Sequence, residues 1–274
     1  MQRRLGFGAG GLVAGRDPAQ LLDLAQSADE LGFELFSLSD HLHGTQPSAD
    51  PWTTLSWLAG QTRTIKLGGN VFALPYRHPA VLAKMAATFD QMAPGRLVLG
   101  LGAGGHDHEF TAFGLPVRTP GGKIGAQREA IAIMRRLWTG DETTFEGRHF
   151  TVRSAQISPK AGPIPIWLGS HGPNALALTG QVADGWLPSL NRVGLGQAVV
   201  MLERVRAGAR AAGRDPDELR IACNLRVNLG HVPSLVDQLR RVAAAGFTLL
   251  SLDLGSVEDQ EFFAAEVMPQ VSGM

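Results

Sequence analysis

The stretch Asp17-Pro18-Ala19-Gln20-Leu21-Leu22-Asp23-Leu24-Ala25-Gln26-Ser27-Ala28-Asp29-Glu30-Leu31-Gly32-Phe33-Glu34-Leu35-Phe36-Ser37-Leu38-Ser39-Asp40-His41 contains one whole building unit of the chain. Asp17 before Pro18 marks a helix start, because the carboxylate caps free amides and proline gives up nothing in a first turn. Leu21, Leu22, Ala25, Ala28 and Leu31 then recur at helical spacing, so a helix with one apolar stripe is predicted over Pro18–Leu31. Gly32 closes it. Leu35–Leu38 is short and apolar, as a buried strand is, and the polar Ser39-Asp40-His41 follows as its loop.

The same grammar runs outward along the chain. Strands are predicted at Leu5–Ala9, Leu35–Leu38, Ile65–Gly69, Leu97–Leu101, Ile164–Leu168, Gly185–Leu187, Leu219–Leu225 and Thr248–Leu252. Further helices are predicted at Trp52–Gln61, His78–Met92, Lys123–Trp138, Pro173–Val182, Leu195–Ala212, Pro233–Ala245 and Val257–Met268. Several strands are continuously apolar, which fits a parallel sheet covered on both faces. Ala243-Ala244-Ala245-Gly246-Phe247 repeats the helix-glycine-strand junction of Ala28–Phe33. Eight strands alternating with eight helices in 274 residues predict a (β/α)8 TIM barrel, with a single domain over 1–274.

Two stretches break the rhythm. Residues 103–122 are glycine- and proline-rich and too long for an ordinary connection, so an extended functional loop is expected after the fourth strand. Residues 142–163 contain Thr144-Phe145-Glu146-Gly147-Arg148-His149-Phe150-Thr151-Val152, two β-prone runs about a glycine, which predict a β-hairpin insertion.

Lysine plus arginine number 25 and aspartate plus glutamate 25, so no general field draws nucleic acid or anionic lipid. The single cysteine, Cys223, lies in an apolar run and is expected to be a buried, inert thiol; with no disulfide framework, a cytoplasmic protein is expected. Met1-Gln2-Arg3-Arg4 leads into few apolar residues, and no apolar run approaches the roughly 18 residues of a membrane span. A soluble, untargeted protein is expected.

In a TIM barrel the chemistry sits at the carboxyl ends of the strands. Asp40-His41 follows the second strand: either an imidazole tuned by the adjacent carboxylate for proton transfer, or a turn cap beside a space-filling ring. Gly68-Gly69-Asn70-Val71 follows the third, where the glycines admit either a planar ligand or a packing bend. Gly100-Leu101-Gly102-Ala103-Gly104-Gly105-His106-Asp107-His108-Glu109 lacks the later acidic residue of a dinucleotide fingerprint and reads as a polar, flexible mouth. Gly169-Ser170-His171-Gly172-Pro173-Asn174 opens a helix, where free amides, the helix dipole and the Ser170 hydroxyl converge on a phosphate position. Trp186 reads as core. Eight histidines, with the pairs His41/His43 and His106/His108, raise a metal site. Barrel hydrolases of the amidohydrolase kind place His-x-His on the first strand, which here has no histidine, so no metal is expected.

Taken in order, these segments resemble the luciferase-like monooxygenase superfamily and its F420-dependent oxidoreductase branch. The resemblance covers nearly the whole chain. It rests on Gly32-Phe33-Glu34 through Ser39-Asp40-His41, Leu74-Pro75-Tyr76-Arg77-His78-Pro79 through Pro94-Gly95-Arg96-Leu97, and Gly100–Gly104 through Glu109-Phe110 and Phe113-Gly114. Phe145-Glu146-Gly147-Arg148, Pro165-Ile166-Trp167 and Ala183-Asp184-Gly185-Trp186 continue it.

The resemblance implies a redox ring across the barrel mouth, with its phosphate at Gly169, Ser170, His171 and Gly172. It implies a bulge with a non-proline cis peptide at Asn70-Val71 behind the ring, and ring contacts from Ala103, Gly104 and His108. Asp40 and His41 match the pair near the reactive face, which makes His41 the first catalytic candidate. One departure is Gly105, where glucose-6-phosphate dehydrogenases of this family carry a glutamate acid. His106 or His108 is the expected replacement. The loop Asn228-Leu229-Gly230-His231 is short compared with relatives that cover their substrate.

The activity so implied is hydride transfer between coenzyme F420 and an organic small molecule. The alternatives are a two-component monooxygenase using reduced FMN from a separate reductase, and a non-catalytic barrel paralogue. Arg77, Arg118, Lys123 and Arg192 are candidates to hold an anionic F420 tail. A homodimer is expected from the same resemblance.

Overall fold

Eight parallel strands close on themselves in the computed structural model, which describes residues 5–11, 16–42, 44–45 and 48–271. The strands are β1 (Gly6–Gly11), β2 (Leu35–Leu38), β3 (Lys66–Gly69), β4 (Phe72–Ala73), β5 (Leu97–Gly102), β6 (Thr143–Glu146), β7 (Thr151–Ala155), β8 (Ile166–Leu168), β9 (Gly185–Trp186), β10 (Arg220–Leu225) and β11 (Leu249–Leu252). The order β1-β2-β3-β5-β8-β9-β10-β11 returns to β1, every pairing parallel, so the predicted TIM barrel is the fold. The short β4 is an addition that pairs with β5. β6 and β7 form the predicted antiparallel hairpin, Phe145 opposite Val152.

Around the barrel lie α1 (Pro18–Glu30), α2 (Pro51–Ala59), α3 (Pro79–Met92), α4 (Asp107–Ala112), α5 (Pro120–Thr139), α6 (Pro173–Val182), α7 (Leu190–Ala211), α8 (Val232–Ala244) and α9 (Val257–Phe262). A π-helical turn at Phe263–Val267 then leads into α10 (Met268–Val271). Asp17 caps α1 through the Gln20 amide, and Gln20 reaches back to close a capping box. α5 begins three residues ahead of the predicted Lys123, because Thr119 caps the Gly122 amide and Pro120 takes the first turn. α7 also begins early, at Leu190, crossing a break at Gly194, whose φ of +71° suits glycine. The long loop after β5 is not structureless: it folds α4 within it.

Leu35, Val98, Trp167, Leu187, Ala222 and Leu249 form a separate apolar cluster drawn from strands and their ends, and this fills the barrel. The second faces of the strands pack on the helices through residues such as Leu67, Leu97, Ile166 and Phe36. At the amino-terminal ends of the strands, Asp29 accepts from the Thr64 and Ile65 amides at 3.0 and 2.7 Å, and Arg220 meets Glu34 at 2.5 Å. That end is tied together by polar staples, leaving the opposite rim to the loops. Cys223 is fully buried, and burial pushes its thiol far above the ordinary range, in keeping with an inert side chain. Among the described residues no helix is long and apolar enough to cross a membrane. Met1–Arg4 and His43 lie outside the described residues.

Candidate active site

β3 ends in a bulge whose Asn70–Val71 peptide bond is cis. The Val71 side chain lies on a floor of glycines: a Cβ at Gly102 would come within 2.7 Å of Val71 Cγ2, and one at Gly169 within 3.1 Å of Cγ1. These two positions accept nothing larger while Val71 stays where it is. The paired Gly68-Gly69 proves to be a packing bend, since a Cβ at Gly68 would stand 2.7 Å from the Val98 carbonyl oxygen and one at Gly69 would enter the Phe72 ring. Beside the bulge, Asn70 and Asn224 exchange side-chain amide hydrogen bonds, with Asn224 Nδ2 donating to Asn70 Oδ1 at 2.7 Å. Asn70 Nδ2 also donates to Ser37 Oγ at 3.3 Å, and Ser37 lies 3.3 Å from Ser251 Oγ. A polar row thus crosses the barrel beneath the cavity.

Asp40 and His41 do not form the pair that their adjacency predicts. The Asp40 carboxylate, with a fully buried side chain, accepts from Arg77 Nη1 at 2.6 Å and from the Ala73 amide at 2.9 Å. Arg77 also reaches Asp50 at 3.0 Å. His41 turns instead to Glu109, whose Oε1 lies 2.8 Å from Nδ1. Glu109 Oε2 accepts from the Leu42 amide at 3.1 Å and from the Tyr76 hydroxyl. Burial pushes the Glu109 carboxyl up, but the hydrogen bonds from Tyr76, His41 and Leu42 outweigh it and bring the pKa down to about 2. Burial, together with the carboxylate it serves, raises the Tyr76 phenol well above its ordinary range.

Neither Glu109 nor Tyr76 was singled out by residue pattern. The available signals were that Tyr76 is the chain's only tyrosine and that Glu109 follows His106 by three residues. His106 sits edge-on to His41 with ring centroids 4.8 Å apart, and burial, together with the charge of His41, lowers its pKa. His41, His106 and Glu109 bring ligand-type atoms within 4.8 Å of one another, and Glu109 accepts hydrogen bonds from His41, the Leu42 amide and Tyr76 within that cluster.

Gly172 caps α6 without a side-chain bond, Pro173 takes the first turn, and the first helical bond runs from the Leu176 amide to the Gly172 carbonyl at 2.9 Å. The amides of Asn174 and Ala175 precede that bond and carry the positive end of the helix dipole. The Ser170 hydroxyl is not the expected donor to a phosphate. Thr179 gives its proton to the Ala175 carbonyl, so Ser170 donates inward to Thr179 Oγ1 at 2.7 Å. Burial, with Arg192 nearby, lowers the pKa of His171.

Of the four basic candidates, Arg192 lines the cavity. Arg77 is committed to Asp40 and Asp50, Lys123 to the Gly104 carbonyl and Asp107, and Arg118 stacks over Phe150 beside a separate hollow.

A cavity of about 320 Å3 gathers these groups. Asp40, His41, Asn70, Val71, Ala103, Gly104, His106, Gly169, Ser170 and His171 all line it, joined by Gln127, Ser189, Arg192 and Asn224, which residue pattern did not place there together. Gly172, the α6 cap, and His108 both lie outside the lining, the His108 ring 5.8 Å from that of His106. A Cβ at Gly105 would meet nothing within 4 Å, so the missing side chain leaves open space in the wall.

A family model described as luciferase-like monooxygenase matches residues 5–259. The chain is 34 % identical over 219 residues to an F420-dependent glucose-6-phosphate dehydrogenase of Nakamurella multipartita, a match covering 77 % of this chain and 64 % of that protein. It is 33 % identical over 207 residues to a 5,10-methylenetetrahydromethanopterin reductase of Methanolobus tindarius, covering 75 % and 60 %. The chain thus spans less than two thirds of the length of these relatives. Among solved structures, an F420-dependent secondary alcohol dehydrogenase in complex with an F420-acetone adduct superposes with a TM-score of 0.87 at 22 % identity, over 98 % of this chain and 99 % of that one. At that identity the likeness speaks for the fold.

Proposed function

The chain belongs to the luciferase-like monooxygenase family, and we propose that within it the protein is an oxidoreductase passing a hydride between coenzyme F420 and an organic small molecule. The observation that carries this reading is the meeting, in one cavity, of the Asn70–Val71 bulge, the His41 imidazole and the open amides at the start of α6. F420-dependent relatives support the choice of cofactor.

The residues present fit such a group. A flat tricycle with a phosphate-bearing anionic arm needs an apolar backing, an oxyanion seat and a nearby positive charge. Val71, braced on its glycine floor, supplies the backing. The Gly169–Gly172 turn and the Asn174 and Ala175 amides supply the seat, with Arg192 as the charge. When bound, the deazaflavin supplies the hydride-transfer chemistry itself.

The chain's own residues orient and protect the reacting centre. His41, on the cavity wall, holds or gives the proton that accompanies hydride movement, and His106 stands beside it as a second imidazole on the same wall. Asp40 and Arg77 fix the backbone from which His41 projects.

Parallel titration of the purified protein with F420 and FMN tests the reading. The expected result is saturable F420 binding at least tenfold tighter than FMN binding. Tight FMN binding without F420 binding would reverse the assignment in favour of a flavin monooxygenase.

A further inference from the structure

Glu109 takes part in no step described so far, yet it is the most heavily bonded side chain in this cluster. Its side chain is 3 % exposed; Oε1 lies 2.8 Å from His41 Nδ1, and Oε2 takes the Leu42 amide at 3.1 Å together with the Tyr76 hydroxyl. We propose that Glu109 is the positioning residue of the site: it fixes the neutral His41 ring as the tautomer protonated on Nδ1, so that Nε2 is the nitrogen available to the reacting centre. This rests on the role given to His41 above.

The chemistry of the donor set leads to this assignment. An ionised carboxylate only accepts, so the hydrogen in the His41–Glu109 contact belongs to Nδ1. A neutral imidazole carries one ring hydrogen, and with Nδ1 holding it, Nε2 becomes the basic nitrogen. Two donors from different segments pin Oε2, so the carboxylate cannot turn away; Tyr76 is itself held edge-on to Phe110 with centroids 5.4 Å apart. Among the described residues no neighbour substitutes for it. Asp40 is occupied by Arg77 and Ala73, and His106 Nδ1 stands 4.0 Å from Glu109 Oε1, beyond hydrogen-bond reach. The His41 side chain is 43 % exposed, and among the described residues Glu109 is the one side chain hydrogen-bonded to its ring.

The isosteric variant Glu109→Gln makes a sharp test. The Leu42 amide can only donate and so requires an oxygen on that side, where the Tyr76 hydroxyl also donates, which leaves the new NH2 group facing His41 Nδ1. Nδ1 must then accept, and the ring proton moves to Nε2. Nitrogen-15 NMR of the imidazoles in the protein without cofactor, at alkaline pH and with His41→Ala to assign the signal, is expected to show His41 protonated on Nδ1 in the wild type and on Nε2 in Glu109→Gln. The dissociation constant of the variant for F420 is expected to stay within threefold of wild type, so that the change is confined to the imidazole.

A wild-type His41 protonated on Nε2, or one tautomer shared by both proteins, overturns the proposal. The wild-type spectrum alone decides the first point, even if the variant folds poorly. Because the spectra need no cofactor, an Nδ1-protonated His41 in a protein that fails to bind F420 would uphold the positioning and reject only the hydride-transfer reading.

Discussion

Arg77 Nη1 lies 2.6 Å from Asp40 Oδ2, and this ion pair joins the loop after β2 to the turn after β4 at the cavity wall, which Asp40 lines. The Asp40 side chain has no exposure and Arg77 only 13 %, so removing one partner strands a buried charge. Arg77→Met is expected to cost about 3–5 kcal/mol, whereas Asp40→Asn combined with Arg77→Met recovers part of that loss. Urea denaturation of the single and double variants reads the difference.

The depressed Glu109 carboxyl sets a pH dependence of stability. Its folded pKa, about 2, lies below the ordinary 4.5, so its contribution is complete above pH 4.5 and is lost as the pH falls toward 2. The shift is worth about 3 kcal/mol, given that one pH unit of displacement corresponds to about 1.4 kcal/mol. Glu109→Gln is therefore expected to flatten the acid limb of a stability profile between those two values. Thermal melts across pH 2.5–7 measure it.

The glycine floor beneath Val71 predicts a steric phenotype. Gly102→Ala places a methyl 2.7 Å from Val71 Cγ2, and the β-branched side chain, held in the bulge, has little room to yield. A loss of about 1–3 kcal/mol is expected. Cofactor affinity should fall with it, because the wall moves toward the cavity. Gly105→Ala is the control: its Cβ meets nothing within 4 Å, so stability should hold. Differential scanning calorimetry and cofactor titration on the two variants separate wall displacement from a generic effect of adding a methyl.

Arg192 and His171 differ in what they bring to an anion. Desolvation and the neighbouring Arg192 lower the His171 pKa, so near pH 7 the ring is neutral and the positive charge comes from Arg192. Arg192→Ala is expected to weaken F420 binding about tenfold and to reduce its sensitivity to salt, in line with about 1.5 kcal/mol for a charge-assisted contact. His171→Ala should do less. Titrations at low and high ionic strength check both.

The barrel was legible because its signals are local and repeated. Asp17-Pro18 and Gly32 bracket α1, and Leu35–Leu38 reads as a strand without knowledge of anything distant. The Asn70–Val71 bulge and the loops of the cavity were legible only through the resemblance of ordered motifs. What stayed hidden depended on contacts far apart in the chain. Asp40 finds Arg77 and His41 finds Glu109, 37 and 68 residues on, so adjacency in the chain named the wrong carboxylate for His41. Glu109 rides on a six-residue helix, too short for periodicity to reveal, inside a stretch whose glycines and prolines read as loop. The Ser170 hydroxyl appeared free because its partner, Thr179, sits nine residues away on the next helix.

In the proposed function one cup, lined by Val71, Gly104, Gly169, Ser170 and His171, receives a flat anionic cofactor. A crystal structure of the protein with F420 tests it most directly. The expected result is the ring against Val71, with the phosphate at the α6 amides and His41 at the exposed face of the ring. F420 bound elsewhere on the barrel, or in this cup with its phosphate away from α6, would contradict it.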